Sequence, residues 1–291
     1  MDFLPIFQRI TGRRHVGLPG EVRVAILSTP RSGNSWLCSM LDHAYQCSGH
    51  HPDLGELALF NPLGAPWSEL PGHCILMSHW HQVEPLTALL NEHRFFQITL
   101  ARHPLDVLIS ILQYAPCEGS LRWLDGEGGD ERSIYGVAPE SEEFIRYATS
   151  RRAQALLEVS AEWWSSQECH RIRYEDLVRH PRWQLGRIAR RLGAMPEVGF
   201  EETVAACTFE RLRNPVTARF VWKGKPGLWK TLLTRPVAQR IAAAHARVFA
   251  ALGYACDPDR SLDSRRATQN WARLVAAKSS SVPVGASKSV A

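Results

Sequence analysis

The stretch VRVAILSTPRSGNSWLCSMLDHAY, residues 22–45, constrains the fold more than any other part of the chain. Val22 to Ser28 is apolar and β-branched, which suits a central strand of a parallel sheet. From Trp36 to Tyr45, the residues Trp36, Leu37, Met40, Leu41 and Ala44 recur at helical spacing. Between strand and helix lies a loop of small residues and one cation, Pro30-Arg31-Ser32-Gly33-Asn34-Ser35. In that order, strand, tight loop and helix aim backbone N–H groups and hydroxyls at one spot, at the positive end of the helix. Such a spot accepts a phosphate. The spelling is not a Walker A sequence, which needs a glycine, four residues, then Gly-Lys-Ser/Thr. Nothing in it therefore argues for a metal-bound nucleoside triphosphate. Taken alone, the turn reads equally well as an ordinary connection.

The remaining pattern alternates strands with helices. Cys74 to Met77, Phe95 to Ala101 and His170 to Tyr174 read as further strands. Helices are expected over about 83–92, from Pro104, over 142–166, over 181–192 up to Gly193, over 200–207 and over 235–252. This predicts a three-layer α/β/α domain with a central parallel sheet and a P-loop-like nucleotide-binding architecture. Ligands of such sheets sit beyond the carboxyl ends of the strands, where the loops after Ser28 and Ala101 both lie. Residues 1–20 read as a leader, 21–277 as the domain and 278–291 as a disordered tail. Two Gly- and Pro-rich stretches, 50–72 and 115–139, read as long loops, the second as a candidate lid on the acceptor side.

Composition narrows the partners. The net charge is +5, and nearly all the base is arginine, with only five lysines. That suits a small anionic ligand. No long basic run interleaved with aromatics argues for nucleic acid. Seven scattered cysteines without a Cys-x-x-Cys pair suit buried thiols in a reducing compartment. No apolar run approaches the ~20 residues that span a bilayer. The expectation is a soluble cytoplasmic protein.

A second basic cluster follows the third strand: Arg102-His103-Pro104-Leu105-Asp106-Val107-Leu108-Ile109-Ser110. Arg102 can fork onto a phosphate, with Ser110 adding a hydroxyl. The competing reading has Arg102 end the strand and pair with Asp106.

Taken together, these blocks resemble the sulfotransferase family that uses 3′-phosphoadenosine-5′-phosphosulfate (PAPS). STPRSGNSW resembles that family's 5′-phosphosulfate loop, and RHPLDVLIS its 3′-phosphate segment. Arg173-Tyr174-Glu175-Asp176-Leu177 resembles its Tyr-Glu-Asp-Leu/Met block, and Thr208-Phe209-Glu210-Arg211-Leu212 its Ser-Phe-x-x-Met block ahead of Asn-Pro. Lys223-Gly224-Lys225-Pro226-Gly227-Leu228-Trp229-Lys230 resembles its Arg-Lys-Gly-x-x-Gly-x-Trp-Lys loop. The five blocks stand in the family's order over about residues 22–234.

The resemblance implies roles. Arg31 stands where the family has a lysine that stabilises charge on the leaving phosphate. Ser32, Gly33, Asn34 and Ser35 would donate to the 5′-phosphate. Trp36 and Phe209 would lie against the adenine, with Tyr174 and Thr208 giving it polar contacts. Arg102 and Ser110 would bind the 3′-phosphate, and Lys223 and Gly224 would close over it. One departure stands out: the arginine that precedes the family's Lys-Gly is Trp222 here. Arg219 or Lys225 is the candidate substitute.

Sulfuryl transfer to a hydroxyl needs a group that takes the acceptor's proton. His79, in a Ser-His context after the second strand, stands where the resemblance places the family's catalytic histidine. Histidine suits the task because its unperturbed pKa is ~6.5. His81 shares its face if the strand continues. A metal site built on the pair, with His50 and His51 nearby, and a purely structural pair are the competing readings.

The implied activity is transfer of a sulfuryl group from PAPS to a hydroxyl or amine of a small molecule or glycan, with no metal. The family often dimerises, so a homodimer is a further expectation. An ATP-dependent P-loop-type kinase and a catalytically silent nucleotide-binding scaffold are the rival functions.

Overall fold

The computed structural model of the protein describes residues 21–47, 63, 67–116, 130–212 and 224–279. Four strands form one sheet: β1 (Val22–Leu27), β2 (His73–Ser78), β3 (Phe96–Ala101) and β4 (His170–Arg173). Their order is β2-β1-β3-β4, and every pair is parallel. Val22 is paired with His73, Val24 with Phe96 and Ile98 with His170. The four strands read from sequence are these four, with ends shifted by one residue. A buried run of β-branched and apolar residues between polar loops is the signal a two-sided parallel strand leaves.

Each strand feeds a helix, so the crossovers cover both faces. Helix α1 (Asn34–Tyr45) lays Leu37, Met40, Leu41 and Ala44 against Val22, Val24 and Ile26. Leu185 and Ile188 of α7 (Pro181–Leu192) join the same layer. On the opposite face, Ala25, Leu27, Cys74 and Leu76 meet Leu86 and Leu90 of α2 (Glu84–Glu92). Val159 and Trp163 of α5 (Arg151–Ser165) complete that layer. Helix α3 (Pro104–Tyr114) is buried along its whole length and packs in a third cluster with Trp229 and with α10 (Arg235–Ala244).

Two expected helices are broken. The 142–166 helix is α4 (Glu142–Ala148) followed by α5, because the hydroxyls of Ser141 and Ser150 each accept a backbone N–H from the turn beyond, Phe144 and Ala153. Ser150 is an N-cap in the middle of a continuous apolar pattern. The 235–252 helix is α10 and α11 (Ala246–Leu252), interrupted at His245, whose Nε2 lies 2.6 Å from the Ala148 carbonyl. Short helices α6 (Tyr174–Arg179), α8 (Phe200–Ala206) and α9 (Phe209–Leu212) and the C-terminal α12 (Ser264–Ser279) complete the described elements. Residues 1–20, most of 50–72, residues 117–129 of the expected lid and 280–291 lie outside the described residues.

Glu131 and Arg152 form an ion pair at 2.9 Å with almost no solvent access, and the Tyr147 hydroxyl donates to Glu131 at 3.0 Å. At the end of α2, Arg94 holds a left-handed conformation, φ 58. Its N–H donates to Asn91 O at 3.0 Å, and the Phe95 N–H donates to Leu90 O at 2.8 Å. This is the double-bonded helix ending that glycine usually fills; a side chain there costs about 1–2 kcal/mol.

Candidate functional site

The site is built where β1 and β3 end. The loop after β1 turns at Arg31, φ 68, and Gly33, φ 104. Gly33 is the N-cap of α1 and supplies no capping side chain. The first amides of α1 are therefore left without the side-chain oxygen that commonly satisfies them. Glycine is required here for two reasons: its φ, and the ring of Tyr174, which a Cβ would meet at 2.6 Å. Ser32 is fully buried, and its hydroxyl has no partner among the described residues. A buried unpaired hydroxyl costs stability unless a ligand completes it.

Behind this loop, a bonded network fixes its height above the sheet. The Thr29 N–H donates to Ser160 Oγ at 2.7 Å, which in turn donates to Leu100 O at 2.7 Å. The Ser28 hydroxyl accepts the Leu100 N–H at 2.8 Å. A serine of α5 thus locks the ends of β1 and β3 together.

The two arginines come together. Arg102, 7% exposed, donates from Nη1 to the Arg31 carbonyl at 3.0 Å, with its guanidinium 4.6 Å over the Tyr174 ring. Its buried Nε has no partner among the described residues. Arg31 donates from Nε to Ser110 Oγ at 3.1 Å and lies 4.6 Å over the Tyr114 ring. Ser110 therefore touches the first loop as well as belonging to the second. The competing reading, an Arg102–Asp106 pair, gives way to another use of the carboxylate. Asp106 is buried and accepts the N–H of Gly227 at 2.6 Å and that of Trp229 at 3.0 Å. Burial pushes its pKa up, against the pull of Arg102 and these two donors. Asp106 thereby ties the C-terminal loop to α3.

Tyr174 joins three segments. Its ring packs on Gly33 and under Arg102, and its hydroxyl donates to Gly224 O at 2.6 Å. Gly224, φ 62, lies so close to Phe209 that a Cβ would meet the ring at 2.7 Å. Phe209 and Trp36 pack at 4.7 Å between centroids, and Trp36 donates to Cys207 O at 2.8 Å. Thr208 caps α9, its Oγ1 accepting the Arg211 N–H at 3.3 Å. Asn34 turns inward, its Nδ2 donating to Thr29 O at 3.1 Å. Ser35 is exposed on the first turn of α1. Lys223, Trp222 and Arg219 lie outside the described residues.

His79 stands one residue past β2, with Nδ1 2.7 Å from the Ser28 carbonyl. The carbonyl accepts, so Nδ1 carries the proton and Nε2 the lone pair. Burial lowers the His79 pKa to about 4, with the Arg31 charge adding to the effect and the Ser28 bond opposing it. The imidazole is neutral at pH 7, the form a base needs. His81 diverges from it: its Nδ1 lies 2.9 Å from Glu162 Oε2, which also accepts the Gln82 N–H at 3.0 Å. The chain does not continue as a strand past Ser78, so the two histidines serve different partners.

The braces around the site include residues that sequence reasoning passed over. Glu175 accepts the His103 N–H at 3.1 Å and the Tyr254 hydroxyl at 2.6 Å. Glu175 thereby braces the turn from β4 into α6. Tyr254, Tyr114 and Ser160 carried no local signal. Only Asp106, an acid in the first turn of a helix that starts with Pro104, offered a hint.

Comparison with known proteins agrees with this architecture. A family model described as "Sulfotransferase domain" matches residues 21–253. Against curated proteins, the sequence finds no significant match. Among solved structures, the fold is similar to that of the mouse sulfotransferase SULT7A1, crystallised with PAP. The TM-score is 0.55 at 15% identity, covering 84% of this chain and 87% of that one. Two retinol dehydratase structures are more distant. One, with androsterone and inactive cofactor PAP, has a TM-score of 0.49 at 16% identity, covering 78% and 80% of the two chains. The other, with retinol and PAP, has 0.49 at 17%, covering 80% and 82%. Among the described residues, no helix is long and apolar enough to cross a membrane. With a family model spanning most of its length and a parallel sheet whose loops carry the expected blocks, the chain belongs to the sulfotransferase domain family and is an enzyme of that class.

Proposed function

We propose that the protein transfers a sulfuryl group from PAPS to a hydroxyl or amine of a small molecule or glycan, with His79 as the general base. The observation that carries this reading is the meeting of the two arginine loops. The buried Ser32 hydroxyl and the buried Arg102 Nε, both lacking partners among the described residues, flank the Arg31 main chain. A ligand with two anionic ends on one adenosine satisfies both ends of that cradle. The glycines at 33 and 224 let the Tyr174 and Phe209 rings close on the two loops, where side chains would collide with them. The cosubstrate's own chemistry is to present an activated sulfuryl group with adenosine 3′,5′-bisphosphate as leaving group.

In this reading, the main-chain N–H groups at the start of α1 and the Ser32 hydroxyl hold the 5′-phosphate. Arg102, with Ser110 beside it, holds the 3′-phosphate, joined by Gly224 and Lys223. Arg31 balances the charge that develops on the leaving phosphate. The adenine packs on the outer face of the Trp36–Phe209 pair, because 4.7 Å between their centroids leaves no slot between them. His79, protonated on Nδ1 and fixed by Ser28 O, takes the acceptor's proton on Nε2. Burial is the main cause of its low pKa; the negative donor offsets the lesser one, the Arg31 charge. Among the described residues no cluster could hold a metal, and in this reading the protein acts in the cytoplasm.

The test has two arms. Adenosine 3′,5′-bisphosphate should raise the melting temperature of the full chain, whereas ATP at the same concentration should not. Radiolabelled PAPS offered with phenols, alcohols, amines, lipids and glycans should label at least one acceptor. Protection by ATP alone would favour the kinase reading. Donor binding without turnover on any acceptor would favour a silent scaffold.

A further inference from the structure

The far end of the sheet carries an open cleft of about 320 Å³, at the lower end of the range that small-molecule sites occupy. Its walls come from the start of β1, the loop from α2 into β3, and the end of α7. Arg23, Arg94 and Arg191 line it, together with Phe95, Phe96 and Asn91. It lies at the amino ends of the strands, whereas the donor loops leave their carboxyl ends. The length of β1 sets the two apart by roughly 20 Å.

Three observations make this more than a solvated surface. First, none of the three guanidiniums forms an ion pair with a carboxylate among the described residues. Glu21, also on the wall, comes within ion-pair distance of none of them. The adjoining residues 1–20 offer one acid, Asp2, against Arg9, Arg13 and Arg14. Secondly, Arg23 is anchored with its charge unneutralised. Its two terminal nitrogens donate to His93 O at 3.3 Å and Leu70 O at 3.2 Å, and its buried Nε has no partner among the described residues. Thirdly, Arg94 occupies the left-handed ending of α2, where glycine would cost nothing. Arg191 is held from behind, one terminal nitrogen 3.3 Å from His170 Nδ1, with its guanidinium 5.9 Å over the Phe96 ring. Three like charges around one small cleft repel each other until an anion arrives.

We infer that this cleft is a second anion site, separate from the donor pocket, for a sulfate or phosphate monoester carried on a flat apolar group. The arginines fork onto the ester's oxygens, and the partly exposed Phe96 ring, beside the Arg191 guanidinium, takes the apolar body.

The test uses the full chain, with and without saturating adenosine 3′,5′-bisphosphate to occupy the donor pocket. The probes are 2-naphthyl sulfate, 2-naphthyl phosphate and inorganic sulfate, with affinity read by calorimetry. Arg94→Gly relaxes the backbone while removing the guanidinium, so its melting temperature should stay level or rise. In that variant, and in Arg191→Ala, the Kd for a naphthyl ester should rise at least about tenfold. The Kd for the bisphosphate should not change. Either ester behaving so supports the site. Unchanged affinity for both esters in both variants overturns it, since any ester seated in the donor or acceptor pocket would ignore these substitutions. Inorganic sulfate binding as tightly as the esters overturns the part given to the apolar body.

Discussion

At the scale of single residues, the bond from His79 Nδ1 to the Ser28 carbonyl sets the state of the imidazole proposed as general base. It selects the tautomer that leaves a lone pair on Nε2, which sequence cannot choose. The position of His79 was legible, through its Ser-His context after a strand. Its divergence from His81 was not, because the strand stops at Ser78 and the alternation of faces stops with it. Replacing His79 with alanine should lower turnover by at least about 100-fold, the lower range of general-base contributions. Binding of adenosine 3′,5′-bisphosphate should persist, and wild-type turnover in that variant would reject the assignment. An NMR titration of the free protein should place the His79 pKa well below 6.5, because burial and then the Arg31 charge disfavour the imidazolium. A midpoint at or above 6.5 would contradict the geometry.

At the scale of elements, the C-terminal loop and α3 are joined through one carboxylate. Asp106 accepts two main-chain N–H groups across more than a hundred positions of sequence. Asn would keep the shape but lose the charge and set an N–H group against one of those donors. A hydrogen bond to a charged group is worth about 1.5–3 kcal/mol. Asp106→Asn should therefore lower the melting temperature and weaken adenosine 3′,5′-bisphosphate about tenfold or more, with a smaller effect on kcat. Wild-type affinity and melting would show that the loop is held by other contacts. Strand and helix positions were readable here because burial on both faces of a parallel sheet writes itself as apolar runs. The breaks at Ser150 and His245 were not readable. The apolar spacing runs through both, and the deciding bonds are a local serine cap at one and a contact with Ala148 at the other.

The whole molecule adds effects that no single segment carries. Glu131, Arg152 and Tyr147 form a buried group that links the chain after residue 129 to α4 and α5. Removing one partner leaves a charge in the interior, so Glu131→Gln should cost about 3–5 kcal/mol in denaturant unfolding. A loss below ~1 kcal/mol would mean that water or rearrangement rescues Arg152. Several histidines share the same linkage to pH. Burial lowers His79 and His170 to about 4, the latter helped by Arg187 and Arg191, and lowers His103 and His245 as well. The folded state therefore disfavours their charged forms. Their contribution to stability is complete above the unfolded value near 6.5 and is lost as pH falls from there toward 4. Melting temperature should drop between pH 7 and pH 5, and His170→Gln should flatten that drop. A flat profile for the unmodified protein would refute the linkage.

The amino-acid sequence by itself determined the parallel sheet, the strand-loop-helix at residues 22–45 and the family blocks, because these depend on short-range spacing and on which side chains avoid water. Only the tertiary structure decided which polar atoms find partners. It turned Asn34 inward, gave the Tyr174 hydroxyl to Gly224, spent Asp106 on a distant loop and gathered Arg23, Arg94 and Arg191 at the sheet's far end. Hydrogen bonds and ion pairs join residues far apart in sequence, and their geometry exists only once the layers have packed.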